Sequence, residues 1–360
     1  ELTLSELEWV TTINKESLQH FFLSKGFALI ADEPSKISLE GEEKIKLTFY
    51  CCNQSDFFQQ LFRTSASPAF LEAWNTDSSN ALSEEEIFSR ANLSYISPCL
   101  RESADIIESA KQGKLPELIC EKDIKGIIHT HSNWSDGVNT IEEMATALIE
   151  KGFEYLVISD HSKSAFYANG LTEVKIAEQH RYIDELNKKL APFKIFKSIE
   201  CDILNDGSLD YSDDILNSFD LVITSIHSNL KMTEEKAMQR LLKAIQHPAT
   251  TILGHMTGRL LLSRSGYPVD HELIIEACAA HKVVIELNAH PRRLDIDWHW
   301  IKKATDKGVL ISINPDAHSI EGFNDIRYGV LAAQKGLLQA SQNLSSFSLA
   351  EFEHFLKTKK

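Results

Sequence analysis

The stretch "GIIHTHSNWSDG", residues 126–137, decides how this chain is read. A short apolar run ends in His129 and His131, and Asp136 follows five residues after the second histidine. If the run is a β-strand, residues i and i+2 point to the same side, so both imidazoles can reach one cation. Imidazole nitrogen and carboxylate oxygen are the donors that borderline divalent metals take. A lone pair of this kind is more often a surface or packing pair, so its meaning depends on what the rest of the chain brings beside it.

From residue 124 onward, short apolar runs alternate with amphipathic helical segments. The runs are 124–128, 155–159, 193–199, 221–225, 251–253, 283–287 and 309–313. Between them, "TIEEMATALIEKG" opens with the capping-box pair Thr140 and Glu143 and stops at Gly152. "TEEKAMQRLLKAIQHP", "DHELIIEACAAHK" and "WHWIKKATDKG" carry comparable helical spacing. Repeated β-α units with buried strands imply a parallel sheet with helices outside. Seven runs in one unit favour a barrel, imperfectly closed, over an open doubly wound sheet.

Every run is followed by polar residues of metal-binding type. His129, His131 and Asp136 come after the first, Asp160 and His161 after the second, Glu200 and Asp202 after the third. His227 follows the fourth, His255 the fifth, Asn288 and His290 the sixth, Asp316 and His318 the seventh. In an α/β barrel the strand C-termini open on one face, where active sites sit. His290 aside, six of the 14 histidines thus fall at one predicted mouth together with Asp136, Glu200 and Asp316, which chance does not arrange. His290 reads equally as a mouth residue or as one behind it. His20, His180, His247, His271, His281, His299 and His354 read as ordinary surface or packing residues.

Composition narrows the class. The chain has 360 residues, enough for two domains, with 43% hydrophobic and 25% charged residues, as in ordinary globular proteins. No apolar run is long enough for a membrane span. Six cysteines without CxxC spacing read as reduced thiols of a cytoplasmic protein. The opening "ELTLSELEWV" has no basic region or initiator Met, which suits a chain without a signal peptide and cut from a longer one. A net charge of −15 argues against bulk electrostatic binding of nucleic acid, but not against a local cationic site.

Together, "DIKGIIHTHSNWSDG", "LVISDHSKS", "SIECDIL", "DLVITSIHS", "ILGHMTGRLL", "VIELNAHPRRLD" and "INPDAHS" resemble the PHP (polymerase and histidinol phosphatase) family, and most of all the C-terminal PHP domain of bacterial family X DNA polymerases. The resemblance covers residues 121 to about 340. It implies a distorted (β/α)7 barrel over 121–360 with up to three divalent metal ions, of Zn, Mn or Fe. It implies His129, His131, Glu200 and Asp316 around the first metal, Glu200, His227 and His255 around the second with Glu200 bridging, and Asp136, His161 and His318 around the third. Glu200, Asp316 and His131 would be catalytic. Met256 stands where the polymerase-type motif usually has Pro, which touches a loop and no ligand. Three divalent ions carry +6 and the three carboxylates return −3, so the mouth would hold a phosphate dianion; each charge pair at ~4 Å is worth about 4 kcal/mol before desolvation. Arg259, Arg264, Arg293 and Lys163 lie in mouth-side loops and could clamp phosphate oxygens. Asp160 and Asp202 would orient ligands from behind.

The first 120 residues resemble more weakly the small α+β palm (1–80) and thumb (81–120) of the same polymerases. "SELEWVTT" lines up with a Gly-Asp-x-Asp motif and "KIKLTFY" with the strand of the third catalytic Asp. "FFQQLFRTSASPAF" resembles the nucleotide-contacting segment and "SEEEIFSRANLSYISPCLRE" the thumb. "SPCLRESADIIESAKQGKLPELI" reads as a helix followed by an exit. The catalytic places hold Glu6, Glu8 and Lys46, and a lysine ammonium where a cation should bind implies a dead polymerase site.

The expected activity is metal-dependent phosphoester hydrolysis at DNA 3′ ends, in the 3′–5′ direction. The alternative is a phosphatase acting on a small phosphomonoester. Two further readings are weaker. A two-metal amidohydrolase would want a lysine on the fourth strand, where "TSIHS" stands instead. A non-enzymatic scaffold would not have kept every candidate ligand.

Overall fold

The computed structural model describes residues 4–359, which divide after Pro116 into two compact units. In the first, β1 (Glu6–Thr11), β2 (Ala28–Glu33), β3 (Lys36–Glu40) and β4 (Lys46–Cys51) form a sheet in the order β1-β4-β3-β2, with β1 parallel to β4 and the other pairs antiparallel. Leu18 of the helix Lys15–Ser24 packs on Ile37, Leu39 and Phe49 of this sheet. Four α-helices follow, Phe57–Thr64, Pro68–Ala73, Glu84–Arg90 and Asp105–Lys111. Arg101 is buried among them, paired with Glu84 at 2.6 Å and lying over the rings of Phe62, Phe88 and Tyr95. The helix expected from Ser97 onward is broken for that reason. A single 3-10 turn, Pro98–Leu100, gives way to the chain around Arg101, and α-helix resumes only at Asp105.

The second unit is the expected barrel. β5 (Gly126–Thr130), β6 (Tyr155–Ile158), β7 (Lys194–Asp202), β8 (Leu221–Ser225), β9 (Ile252–Leu253), β10 (Val284–Asn288) and β11 (Ile311–Asn314) form one seven-stranded sheet, in sequential order, with every adjacent pair parallel. The ends approach closure through the bridge between Thr130 and Ala317, where the His131 N–H donates to the Ala317 carbonyl at 2.8 Å. The capping box of Thr140 and Glu143 forms at the start of the helix Ile141–Glu150.

Alternation along the strands sorts the side chains. Ile127, Leu156, Ile195, Val222 and Ile285 face the outer helices and join the large core. Ile128, Val157, Phe196, Ile223 and Val284 point inward and form a second core, closed by Phe352 and Leu356 of the C-terminal helix Leu349–Lys359, with Phe352 stacked on Tyr155 at 4.6 Å. Higher in the barrel the inward positions turn polar, with Glu200 two residues beyond Ser198 on β7 and Glu286 and Asn288 beyond Val284 on β10. The barrel is thus apolar at its base and charged at its C-terminal mouth.

Among the described residues, no helix is long and apolar enough to cross a membrane, and the six cysteines are free thiols.

Candidate metal centre

Several strands run further than their apolar runs. His129 lies within β5, Glu200 and Asp202 within β7, and Asn288 within β10. Glu200, Asp202 and Asn288 stay in register with the neighbouring strand while carrying polar side chains. The pairing of His129 with His131 does not follow from a regular extended strand, however. The register slips between Ile127 and Thr130, and His129 takes φ +62°, in the left-handed region that His visits more readily than bulkier residues. Asp316 has φ +52° on the opposite side of the same bridge. Such backbone costs roughly 1–3 kcal/mol per residue and persists where the surroundings over-determine it. Here it brings the two rings to 5.3 Å between centroids.

Glu200 is the hub. Its Oε1 lies 2.9 Å from His255 Nε2, 3.2 Å from His227 Nε2 and 3.3 Å from His129 Nε2. Its Oε2 lies 3.0 Å from His161 Nδ1 and 3.6 Å from His131 Nε2. Asp316 Oδ1 stands 3.1 Å from His131 Nε2 and 3.6 Å from His129 Nε2. Asp136 Oδ2 is 3.5 Å from His318 Nε2 and 3.7 Å from His161 Nε2. His131 is sandwiched between His161 and His318, with centroids at 4.3 and 4.2 Å. All nine residues expected from the sequence meet here. Three overlapping groups have ligand atoms close enough to share an ion: His131, Asp136, His161 and His318; His129, His131 and Asp316; His161, Glu200 and His227.

The donors suit metal ions on a further observation. His129 Nε2, His131 Nδ1, His161 Nδ1, His255 Nδ1 and Glu200 Oε2 are buried and make no hydrogen bond, a costly state for buried polar atoms that a cation would relieve. The site is built to bind divalent metal.

Outer partners aim the rings. Glu286, fully buried on β10, places Oε2 2.6 Å from His129 Nδ1, so the proton sits on Nδ1 and Nε2 faces Glu200. Asp202 does the same for His227, at 2.5 Å from Nδ1, and the Asp316 carbonyl for His318, at 3.0 Å. Asp160 acts differently from the expectation. It touches no imidazole but accepts from the Ser132 N–H, the Ser132 and Ser135 hydroxyls and the Gln179 amide, fixing the loop that carries Asp136. That loop folds so tightly that a Cβ on Gly137 would lie 2.1 Å from the His131 carbonyl oxygen. Glu286 was not singled out in the sequence. The signal was there, since a carboxylate sits inside an apolar run with the same parity as Asn288.

Burial opposes charge throughout, but the mutual attraction of acids and imidazoles exceeds it at most positions. Against burial, His227, His129 and His161 hold Glu200 well below the usual carboxylate range. His129 and the hydrogen bond from His131 do the same for Asp316. His227 is pushed up to about 10 by Glu200 and Asp202, and His318 to about 9 by Asp136 and Asp316, in each case against burial. His131, with burial and two neighbouring imidazoles against it, falls to about 3. In the metal-free chain, then, protons on His227 and His318 supply positive charge that an ion would replace.

The four expected phosphate-clamping cations separate. Arg293 reaches the centre, with Nε 3.3 Å from Asp316 Oδ2. Arg264 is held by the Gly258 carbonyl at 2.8 and 3.1 Å, and burial, helped by the nearby Arg293 charge, lowers its pKa below the usual guanidinium range. Arg259 is committed elsewhere. It donates to the Arg293 and Leu294 carbonyls and pairs with Asp297 at 3.0 Å, bracing the loop after β10. Lys163 pairs with Glu173 at 2.6 Å over the Tyr211 ring. His290 lies outside all three groups, its Nδ1 accepting from the Arg292 N–H.

In the N-terminal unit, Glu6 pairs with Lys46 across the β1–β4 register at 2.9 Å and accepts from Thr48 at 2.5 Å, while Glu8 accepts from the Tyr50 hydroxyl at 2.9 Å. The lysine neutralises the carboxylate that a cation would need.

A seven-stranded parallel barrel with a histidine–carboxylate cluster at its C-terminal mouth defines a metal-centred α/β-barrel protein. Residues 128–290, within the barrel, match the PHP domain family. The chain is 43% identical over 275 residues to the DNA polymerase/3′-5′ exonuclease PolX of Bacillus subtilis (strain 168), covering 76% of this chain and 48% of that protein. It therefore spans about half the length of that relative. It is 26% identical over 194 residues to a probable phosphatase of Caldicellulosiruptor saccharolyticus, covering 50% and 74%. Among solved structures, histidinol phosphate phosphatase from Lactococcus lactis subsp. lactis, complexed with zinc, L-histidinol and phosphate, aligns with a TM-score of 0.44 at 18% identity, over 59% of this chain and 94% of that one.

Proposed function

We propose that this chain is a metal-dependent phosphoester hydrolase that removes nucleotides from DNA 3′ ends in the 3′–5′ direction, and that its N-terminal unit is a palm and thumb remnant without polymerase activity. The observation that carries the reading is the convergence of His129, His131, Asp136, His161, Glu200, His227, His255, Asp316 and His318 around one buried carboxylate at a barrel mouth. These residues would hold up to three divalent ions, of Zn, Mn or Fe. Bound there, the ions would supply Lewis acidity toward a phosphoryl oxygen and a water acidic enough to attack near neutral pH.

The protein's own groups do the rest. Glu200 reaches both halves of the cluster and fixes their spacing. Asp316 and His131 lie side by side in the cluster, Oδ1 and Nε2 3.1 Å apart. Arg293 and Arg264 offer the positive charge at the mouth, Arg293 by exchanging its contact with Asp316 for a phosphate oxygen. The polymerase/exonuclease identity of the Bacillus relative supports DNA as substrate, and the Glu6–Lys46 pair supports loss of polymerisation. An amidohydrolase reading has no support, since β8 carries no lysine.

The test compares nucleotide release from a 3′-labelled single strand with phosphate release from a small monoester, both with Mn²⁺. Stepwise release of mononucleotides supports the proposal. Turnover of the ester alone would replace it with the phosphatase reading.

A further inference from the structure

The turn after β6 holds two aromatic rings in water where no packing calls for them. Phe166 is 85% exposed and Tyr167 66%, on the 3-10 turn Phe166–Ala168. The turn is rigid. A bridge between Ser162 and Leu171 closes its base, the Lys163 N–H donates to the Tyr211 hydroxyl at 3.0 Å, and a Cβ on Gly170 would lie 1.9 Å from the Ser162 carbonyl oxygen. The two rings stand 6.4 Å apart between centroids and at 75° to each other, so together they form a platform that offers a base one face and one edge, and burying one such ring is worth about 1.5–3 kcal/mol. The platform adjoins the metal cluster, with the Tyr167 ring centroid 6.5 Å from that of His161.

Beyond it lies a cavity of about 400 Å³ lined by Asn133, Trp134, Thr140, Asn169, Lys175 and Tyr182. The same two segments build both features. Trp134 precedes Asp136 by two residues, and Asn169 follows Tyr167 by two. The Asn169 amide donates to the Trp134 carbonyl at 3.4 Å, and Lys175 donates to the Asn169 side-chain oxygen at 3.1 Å. Trp134 and Tyr182 stand 6.4 Å apart between centroids. Aromatic faces followed by a cation are what a single strand uses, since every base stacks on an aromatic ring and the backbone follows positive charge. A small phosphomonoester has no second base to place there.

We propose that Phe166 and Tyr167 hold a base flanking the scissile phosphate, one ring against its face and the other against its edge, and that the cavity at Trp134 and Lys175 takes the neighbouring nucleotide. This rests on the nuclease reading above and names the part of its substrate that selects a polynucleotide.

The experiment uses the full chain with Mn²⁺ and two 3′-labelled single strands, one ordinary and one abasic at its last three positions. The wild-type protein should show a KM about tenfold lower for the ordinary strand. In the Phe166→Ala/Tyr167→Ala variant that preference should collapse toward one, with the loss in KM rather than kcat. Lys175→Ala should reduce the steepness of the salt dependence of binding by about one ion. Equal KM for both strands in the wild type, or an undiminished preference in the double variant, would overturn the platform while leaving the nuclease reading intact. Cleavage of neither strand together with phosphate release from p-nitrophenyl phosphate would remove the nuclease reading, and the platform with it.

Discussion

Replacing Glu286 by glutamine changes no volume, yet it should disable one edge of the metal centre through a proton. Four donors converge on this carboxylate. His129 Nδ1 at 2.6 Å and Asn314 Nδ2 at 2.7 Å meet Oε2, while the His255 N–H at 3.0 Å and Asn288 Nδ2 at 3.1 Å meet Oε1. A backbone N–H cannot become an acceptor, so the glutamine amide nitrogen must take the Oε2 side. The Asn314 amide can turn over. His129 can satisfy the new donor only by accepting at Nδ1, which moves its proton to Nε2, the atom 3.3 Å from Glu200 and 3.6 Å from Asp316. A nitrogen carrying that proton cannot bind metal. Restoring the other tautomer leaves a buried hydrogen bond mispaired, at about 1–3 kcal/mol, and affinity should fall roughly 10- to 100-fold, the range seen when such supporting groups are removed. Competition with a chromophoric chelator on metal-stripped protein measures the affinity, and nitrogen NMR of the imidazole reports the tautomer. A thermal melt guards against simple unfolding. Wild-type affinity together with a retained proton on Nδ1 would refute the reasoning.

Glu200→Gln should be more severe, because that carboxylate faces five imidazoles at 2.9–3.6 Å. Leaving buried charge unpaired costs about 3–5 kcal/mol, so metal stoichiometry by elemental analysis should drop and hydrolysis fall by at least about 100-fold. Metal uptake by the stripped protein should release protons, because His227 and His318, raised to about 10 and about 9, are charged at neutral pH; calorimetry in buffers of different ionisation enthalpy counts them, and affinity should weaken as pH falls. These raised values also mean that the metal-free fold gains stability from the two protonated rings below about pH 6.5 and loses it as pH rises toward 9–10, visible as a falling Tm. Primer extension with Mg²⁺ should yield no incorporation, since Lys46 occupies the neighbourhood of Glu6.

The barrel and the cluster were legible because six of the seven strands carry a donor in a local string, and local strings survive without knowledge of packing. His129 shows the limit. Its direction was anticipated, but from a regular strand, whereas a left-handed residue and a register slip achieve it. Both arise from closing the sheet onto Ala317, nearly 190 positions away, and no window around His129 contains that partner. Glu286 stayed hidden because its reason for being buried, the Nδ1 of His129, lies 157 residues upstream. The cations divided for a similar reason. Arg259 and Arg293 sit in neighbouring mouth loops, but whether a guanidinium faces the cluster or a carbonyl depends on how those loops cross. The expected helix around Arg101 failed because the apolar and charged pattern there serves a buried guanidinium rather than one helical face.

Anomalous diffraction from crystals soaked in Mn²⁺ addresses the centre itself. The account predicts density at ~2.0–2.3 Å from the oxygens of Glu200, with further peaks beside Asp316 and between Asp136 and His318. Ordered manganese absent from all three places, with the protein folded and the metal in excess, would contradict it.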